Sequence, residues 1–241
     1  MGFGRDPTRR LLQCGVVAGP LFVTAFVVEG ARRPEYDPIR HPVSSLSLGR
    51  QGWLQDLSFT TAGVLYAAMA VGLSRAKTPT TKAGPALIGA AAVGLLGAGA
   101  FKTDPVSGYP PGTPDAFKRH TTHGALHDLL SAPTFLGLPA AALVYARAFR
   151  RDHERGWAAY SAATGAGMLT TFGLASVAFS QAPVLVRYGG LIQRVCITLG
   201  FSWLTALARR ALQSGAHSPA TGPRPAPSAN ARGRAPHYSW R

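Results

Sequence analysis

The residues best equipped for chemistry lie between Lys118 and Ser131, in the run KRHTTHGALHDLLS. Three histidines and an aspartate stand there, where a polar stretch turns apolar. In a helix, His120, His123 and His127 share one stripe at i, i+3 and i+7. Asp128 follows about 100° further round. Imidazoles at i and i+4 are spaced for two metal ligands, so His123, His127 and Asp128 form the candidate metal set, with zinc the ion such donors suit. Asp128 is also the candidate catalytic base in metal-assisted hydrolysis. Between the two histidines stand Gly, Ala and Leu, without the glutamate that zinc hydrolases place there. The same residues equally suit a hydrogen-bond network that caps a helix and pins loops.

Two further polar stretches supply the other candidates. The run EGARRPEYDPIRHPVSSLSLGRQGW, from Glu29 to Trp53, carries Glu29, Asp37, Arg40 and His41. Pro34, Pro38 and Pro42 set its turns by disfavouring helix in the preceding residue. Ser44 and Ser45 read as caps of a short interfacial helix that Gly49 ends, and Trp53 as an interface aromatic. The run FKTDPVSGYPPGTPDAF adds Asp104. Its Thr113-Pro114 reads as an N-cap and first helical residue, from which a helix would run through the histidines. Arg194 stands inside an otherwise uncharged run; a charge at such depth is expected to face the interior and pair, here with Asp128 or Glu29. Ser44 or Ser45, a histidine and Asp128 would make a nucleophilic triad on paper, but no G-x-S-x-G elbow occurs.

What must position these groups is a membrane scaffold. Apolar runs at Leu11–Val28, Leu57–Leu73, Gly84–Phe101, Leu129–Ala146, Trp157–Phe179 and Tyr188–Ala208 are each long enough to cross a ~30 Å hydrocarbon core. The first has a basic flank like a secretory leader, but Glu29 stands where a small residue should precede cleavage, so it reads as an uncleaved span. The fold class expected is all-α, a six-helix transmembrane bundle with Pro/Gly-rich outer loops. Four-residue spacing of small residues predicts the packing faces: Gly15 and Gly19, then Ala86, Ala90, Gly94 and Ala98, then Ala159, Ala163, Gly167 and Ala175. Copies of the chain can associate through such faces as a homo-oligomer. Cys14 and Cys196 fall within apolar runs, with no metal or disulfide pattern.

The net charge is +15, yet no basic face with interleaved aromatics emerges, so nucleic acid is not the expected partner. Lys and Arg instead favour the termini and the segments at 74–83 and 147–156 over the longer loops at 29–56 and 102–128 and the short one at 180–187. That bias predicts both termini inside and the three candidate loops outside. Residues 1–10 read as a basic cytoplasmic segment, 11–208 as the membrane domain, and 209–241, rich in Pro, Ala and Arg, as a disordered cytoplasmic tail.

The loop motifs carry a resemblance. E-G-x-x-R-P-x-Y-D-P-x-R-H-P-V-S-S-L-x-L-G-x-x-G-W at 29–53, F-x-T-D-P at 101–105, P-P-G-T-P at 110–114 and H-G-x-L-H-D at 123–128 resemble the domain of unknown function 998 family of bacterial membrane proteins. The resemblance runs over about 11–208 and implies a multi-pass protein of the bacterial inner membrane. It implies no activity. His123, His127 and Asp128 match its motif; His120 has no place in it.

Two functions are therefore expected of an outward site built from Glu29, Asp37, Arg40, His41, Asp104, His123, His127, Asp128 and Arg194. The leading one is binding of a membrane-lipid headgroup or another small polar ligand, with arginine gripping phosphate. The alternative is a metal-assisted hydrolase acting on a lipid.

Overall fold

The computed structural model describes residues 6–76, 81–116 and 120–216. Six long helices carry the chain: α1 (Pro7–Arg32), α2 (Gly52–Arg75), α3 (Ala83–Ala100), α4 (Thr122–Arg151), α5 (Arg155–Phe179) and α6 (Gly189–Ala216). Short 3-10 turns cover Val43–Ser47 and Val186–Tyr188, and no strand occurs among the described residues. All six helices are long and apolar enough to cross a membrane, and the shortest, α3 with 18 residues, covers about 27 Å.

Each helix packs on its neighbours in the chain, and α6 closes on α1, so the six form a ring. An even number of spans returns the chain to the side where it began. One end of the ring, the terminal end, carries the start of α1, the end of α6, the facing ends of α2 and α3, and the link at 152–154. The other, the loop end, carries the three candidate loops.

Small residues set how closely the helices approach. A methyl at Gly15 would lie 2.2 Å from the Met69 sulfur, and one at Gly19 would lie 2.8 Å from Thr205 Oγ1, so α1 must be bare there to sit between α2 and α6. A methyl at Gly94 would meet Thr134 Oγ1 at 2.5 Å, and that hydroxyl donates to the Ala91 carbonyl across the α3–α4 seam. The α4–α5 seam is tight towards the terminal end, where Gly165 faces the Pro139 carbonyl. The stripes expected on α3 and α5 hold only in their later parts, where Gly94, Ala98 and Ala175 are buried. Ala86, Ala90, Ala159 and Ala163 are exposed, while Ile88, Ala92, Ser161 and Thr164 are buried. Lipid-facing and protein-facing sides are both apolar here, so small-residue spacing alone does not fix the phase.

Large buried side chains fill the middle of the terminal half of the ring, while a space of about 320 Å³ lies between α1 and α6 beside Gly19, Pro20 and Thr205. Trp203 is fully buried, donates from Nε1 to Ser161 Oγ at 3.0 Å, and packs edge-on to Tyr145. Phe149, Tyr66 and Met69 complete this plug. Arg210, ion-paired with Glu154, lies over the rings of Phe149 and Trp157, which pack on each other.

Three expectations change at element boundaries. No helix starts at Thr113: its hydroxyl donates to the Pro110 carbonyl in a turn, and the cap of α4 is Thr121. His120 therefore stands outside the helix that carries His123 and His127. The Ser44–Ser45 segment does form a short 3-10 helix, but neither hydroxyl caps it. The tail expected from 209 begins later, because α6 continues to Ala216; residues 217–241 and 1–5 lie outside the described residues.

Candidate functional site

The first loop is built around a guanidinium. Arg194 projects from the first turns of α6 and donates from Nη1 to the carbonyls of Pro38, His41 and Gly190 at 2.6, 3.0 and 3.0 Å. Its Nη2 donates to the Tyr36 hydroxyl, and its plane lies over the rings of Phe26 and Tyr36. The expected pairing with Asp128 or Glu29 is thus not formed; Glu29 faces Arg33, at 3.6 Å. Carbonyl dipoles and aromatic faces take the place of a counter-ion. The first amides of α6 add to the seam, Gly190 N–H donating to the Arg40 carbonyl and Leu191 N–H to that of Ile39. Gly190 has room for no side chain, since a methyl would lie 2.3 Å from the His41 carbonyl.

The other loop candidates serve the same lid. Arg33, 8 % exposed, donates to the carbonyls of Leu46 and Leu48. Asp37 caps its own turn by accepting from Ile39 N–H, and its backbone N–H donates to His41 Nδ1 at 2.9 Å. That bond requires His41 Nδ1 to be bare, which fixes the tautomer. The His41 ring packs against Tyr36 and Tyr109, and burial pushes its pKa below the ordinary 6.5, with Asp37 pulling the other way. Burial also raises the Tyr36 phenol to about 12, against the nearby Arg194. Arg40 crosses to the second loop, donating to the Ser107 carbonyl and the Asp115 carboxylate.

Asp104 locks the start of α4. Its carboxylate accepts from Thr121 N–H at 2.9 Å and from the Thr121 hydroxyl at 2.6 Å, and that hydroxyl in turn accepts from Gly124 N–H. His123 is exposed beside the Phe101 ring. His127 is 4 % exposed, and its Nδ1 lies 2.7 Å from the Phe101 carbonyl. A carbonyl only accepts, so Nδ1 carries the proton and Nε2 presents a lone pair.

His127 and Asp128 are the two expected site residues that line the main cavity, a space of about 360 Å³ in the loop half of the ring. Its deep wall is apolar: Phe22, Phe59, Leu95, Ile197 and Phe201. Phe22 packs on both Phe59 and Phe201, which closes the floor above the Trp203 plug. Its upper wall is polar: Ser44, His127, Asp128, Ser131, Ser180 and Gln193. Gln193 Oε1 accepts from Val43 N–H, leaving its amide NH2 for the cavity. No Lys or Arg lines this space among the described residues. Glu29, Asp37, Arg40, His41, Asp104 and Arg194 hold the lid and helix ends instead of converging on the cavity. Among the described residues no group of three or more His, Cys, Asp or Glu is placed to hold a metal ion.

Gln193, Ser131 and Ser180 were missed by sequence reasoning. Gln193, one residue before Arg194 in an apolar run, was the available signal; a lone serine in a span carries none, because it can bond its own helix.

No curated protein and no solved structure matches the chain in comparison. The model of one family, described as protein of unknown function (DUF998), matches residues 16–210. With six helices long and apolar enough to cross a membrane, the chain is a multi-pass membrane protein and belongs to the DUF998 family.

Proposed function

We propose that this protein binds the polar end of an amphiphile in the loop-half cavity, at the outer face of a bacterial inner membrane. The orientation follows from the Lys and Arg bias towards the termini and the links at the terminal end. One observation carries the reading: a single chamber with aromatic rings at depth and His127, Asp128, Ser131 and Gln193 above them. Concave, mostly apolar spaces of this size with a few convergent polar groups are where small ligands bind. The lid arginines are committed to carbonyls, so they brace the chamber and do not grip phosphate.

The metal-hydrolase reading has one observation in its favour. A histidine anchored through Nδ1–H to a carbonyl presents Nε2 as zinc ligands do. The two readings part at His123, which stands outside the cavity lining. Protein extracted in mild detergent is expected to carry amphiphile by mass spectrometry, to lose it in His127→Ala and Asp128→Ala, and to keep it in His123→Ala. Zinc at one ion per chain, lost in His123→Ala, would overturn this in favour of the hydrolase.

A further inference from the structure

The cavity has an open side between the loop-end halves of α4 and α5. Its lining residues from α1, α2, α3 and the loop around Thr103 are buried. The exposed ones sit on two facing helix edges, Asp128 on α4, and Ser176 and Ser180 on α5, while Ser44 of the first loop and Gln193 of α6 are only partly exposed. Ser131, Ala132 and Phe179, also on those edges, are partly exposed. The other seams of the ring carry close contacts at this level, with Phe22 of α1 against Phe59 of α2. Gly97 of α3 faces the Leu130 side chain of α4, Gly99 of α3 faces the Asp56 carbonyl of α2, Gly189 of α6 faces the Phe179 ring of α5, and Arg194 stitches α6 to the first loop.

Along α4–α5, the last ring contact before the gap is the stacked pair Phe135–Phe172, with centroids 4.9 Å apart. Beyond that pair the hydroxyls do not reach across. Ser131 donates to the Asp128 carbonyl, Ser176 to that of Phe172 and Ser180 to that of Ser176, each within its own helix.

Resting on the cavity-binding reading, we infer that the ligand is a membrane lipid that enters sideways through the α4–α5 gap and has a head bearing hydrogen-bond donors but no terminal phosphate. Volume argues for the route. A space of about 360 Å³ holds a body no larger than a small drug, so the chains of a diacyl lipid stay outside while its head is bound. A gap in the wall at bilayer depth allows that, and a lid opening to water does not. Charge argues for the head. The Asp128 carboxylate and His127 Nε2 accept, Gln193 and Ser44 donate, and no lining cation offsets a dianionic phosphate. A hydroxyl, as in diacylglycerol, or an ammonium, as in phosphatidylethanolamine, matches the acceptors.

The test uses the full chain in nanodiscs that contain diacylglycerol, phosphatidylethanolamine or phosphatidic acid, with bound lipid read by native mass spectrometry. Wild type is expected to retain the first two and not the third. Ala132→Trp and Ser176→Trp, which plug the gap from opposite edges, are each expected to lose the retained lipid while unfolding at the wild-type temperature. Preference for phosphatidic acid overturns the head assignment. Unchanged retention and uptake rate in either folded plug variant overturns the lateral route alone. No retained lipid in wild type overturns the cavity-binding reading itself.

Discussion

Arg194 shows how a membrane span carries a cation without a carboxylate beside it. Its two Nη groups reach three carbonyls and a phenol, and the guanidinium lies over two aromatic rings. A lysine offers a compact charge with no fork. Arg194→Lys is expected to lower stability by roughly 2–3 kcal/mol, since hydrogen bonds to charged groups are worth about 1.5–3 kcal/mol each; thermal unfolding in detergent measures it. His41 carries a pH dependence. The folded chain holds its imidazole neutral at a depressed pKa, so the unfolded chain takes up the proton first as pH falls. Its contribution is complete above about 6.5 and is lost as pH drops from there through the folded value. Unfolding temperature should fall over that range in wild type and stay flatter in His41→Gln; parallel curves would refute the assignment. Sequence reading picked out both residues, and for Arg194 it named the wrong partner. Arg194 was expected to seek a carboxylate because the carbonyls of Pro38 and His41 are invisible as partners in a string of letters.

Among the elements, α4 has the most exacting start, because its first turns must place His127 at the cavity wall. Thr121 and Asp104 do this together, the threonine capping the helix and the aspartate holding the threonine. Thr121→Val is expected to cost about 1 kcal/mol, the usual worth of an N-cap, and to speed hydrogen exchange at residues 123–126; unchanged exchange would sink the role. Small residues give a second contrast. Gly94→Leu drives a side chain into Thr134, whereas Gly173 has nothing within 4 Å, so only the first should destabilise the bundle. The six spans were legible because length and apolarity suffice for a helix in lipid. The inward faces of α3 and α5 were legible only in part. Gly94, Ala98 and Ala175 are buried as expected. Ala90 and Ala92 differ by two positions and little in chemistry, yet one is exposed and the other wholly buried. The helix expected from Thr113 failed for a related reason. Thr-Pro suits a turn as well as a helix start, and the Pro110 carbonyl settled which.

At the scale of the whole molecule the ring is divided into a hollow half and a solid half. The loops at 29–53 and 101–116 were rightly read as structured by their prolines, and they lie over the hollow half. Sequence offered no sign of the cavity itself, because a void is a property of how rings from α1, α2 and α6 meet. Trp203 is the centre of the solid half, and Trp203→Ala is expected to cost about 3–5 kcal/mol by leaving a cavity. Denaturant or thermal unfolding would measure that loss, and a variant as stable as wild type would show that the plug is not needed for folding.

The plug at Trp203 and Tyr145 makes the chamber a cul-de-sac. On the proposed reading, whatever enters leaves by the same door, and nothing crosses from one leaflet to the other along this path. The filling of the chamber would then track how abundant its guest is in the neighbouring leaflet, as a gauge follows a reservoir, and a signal or a hand-off would be read from that filling at the lid above.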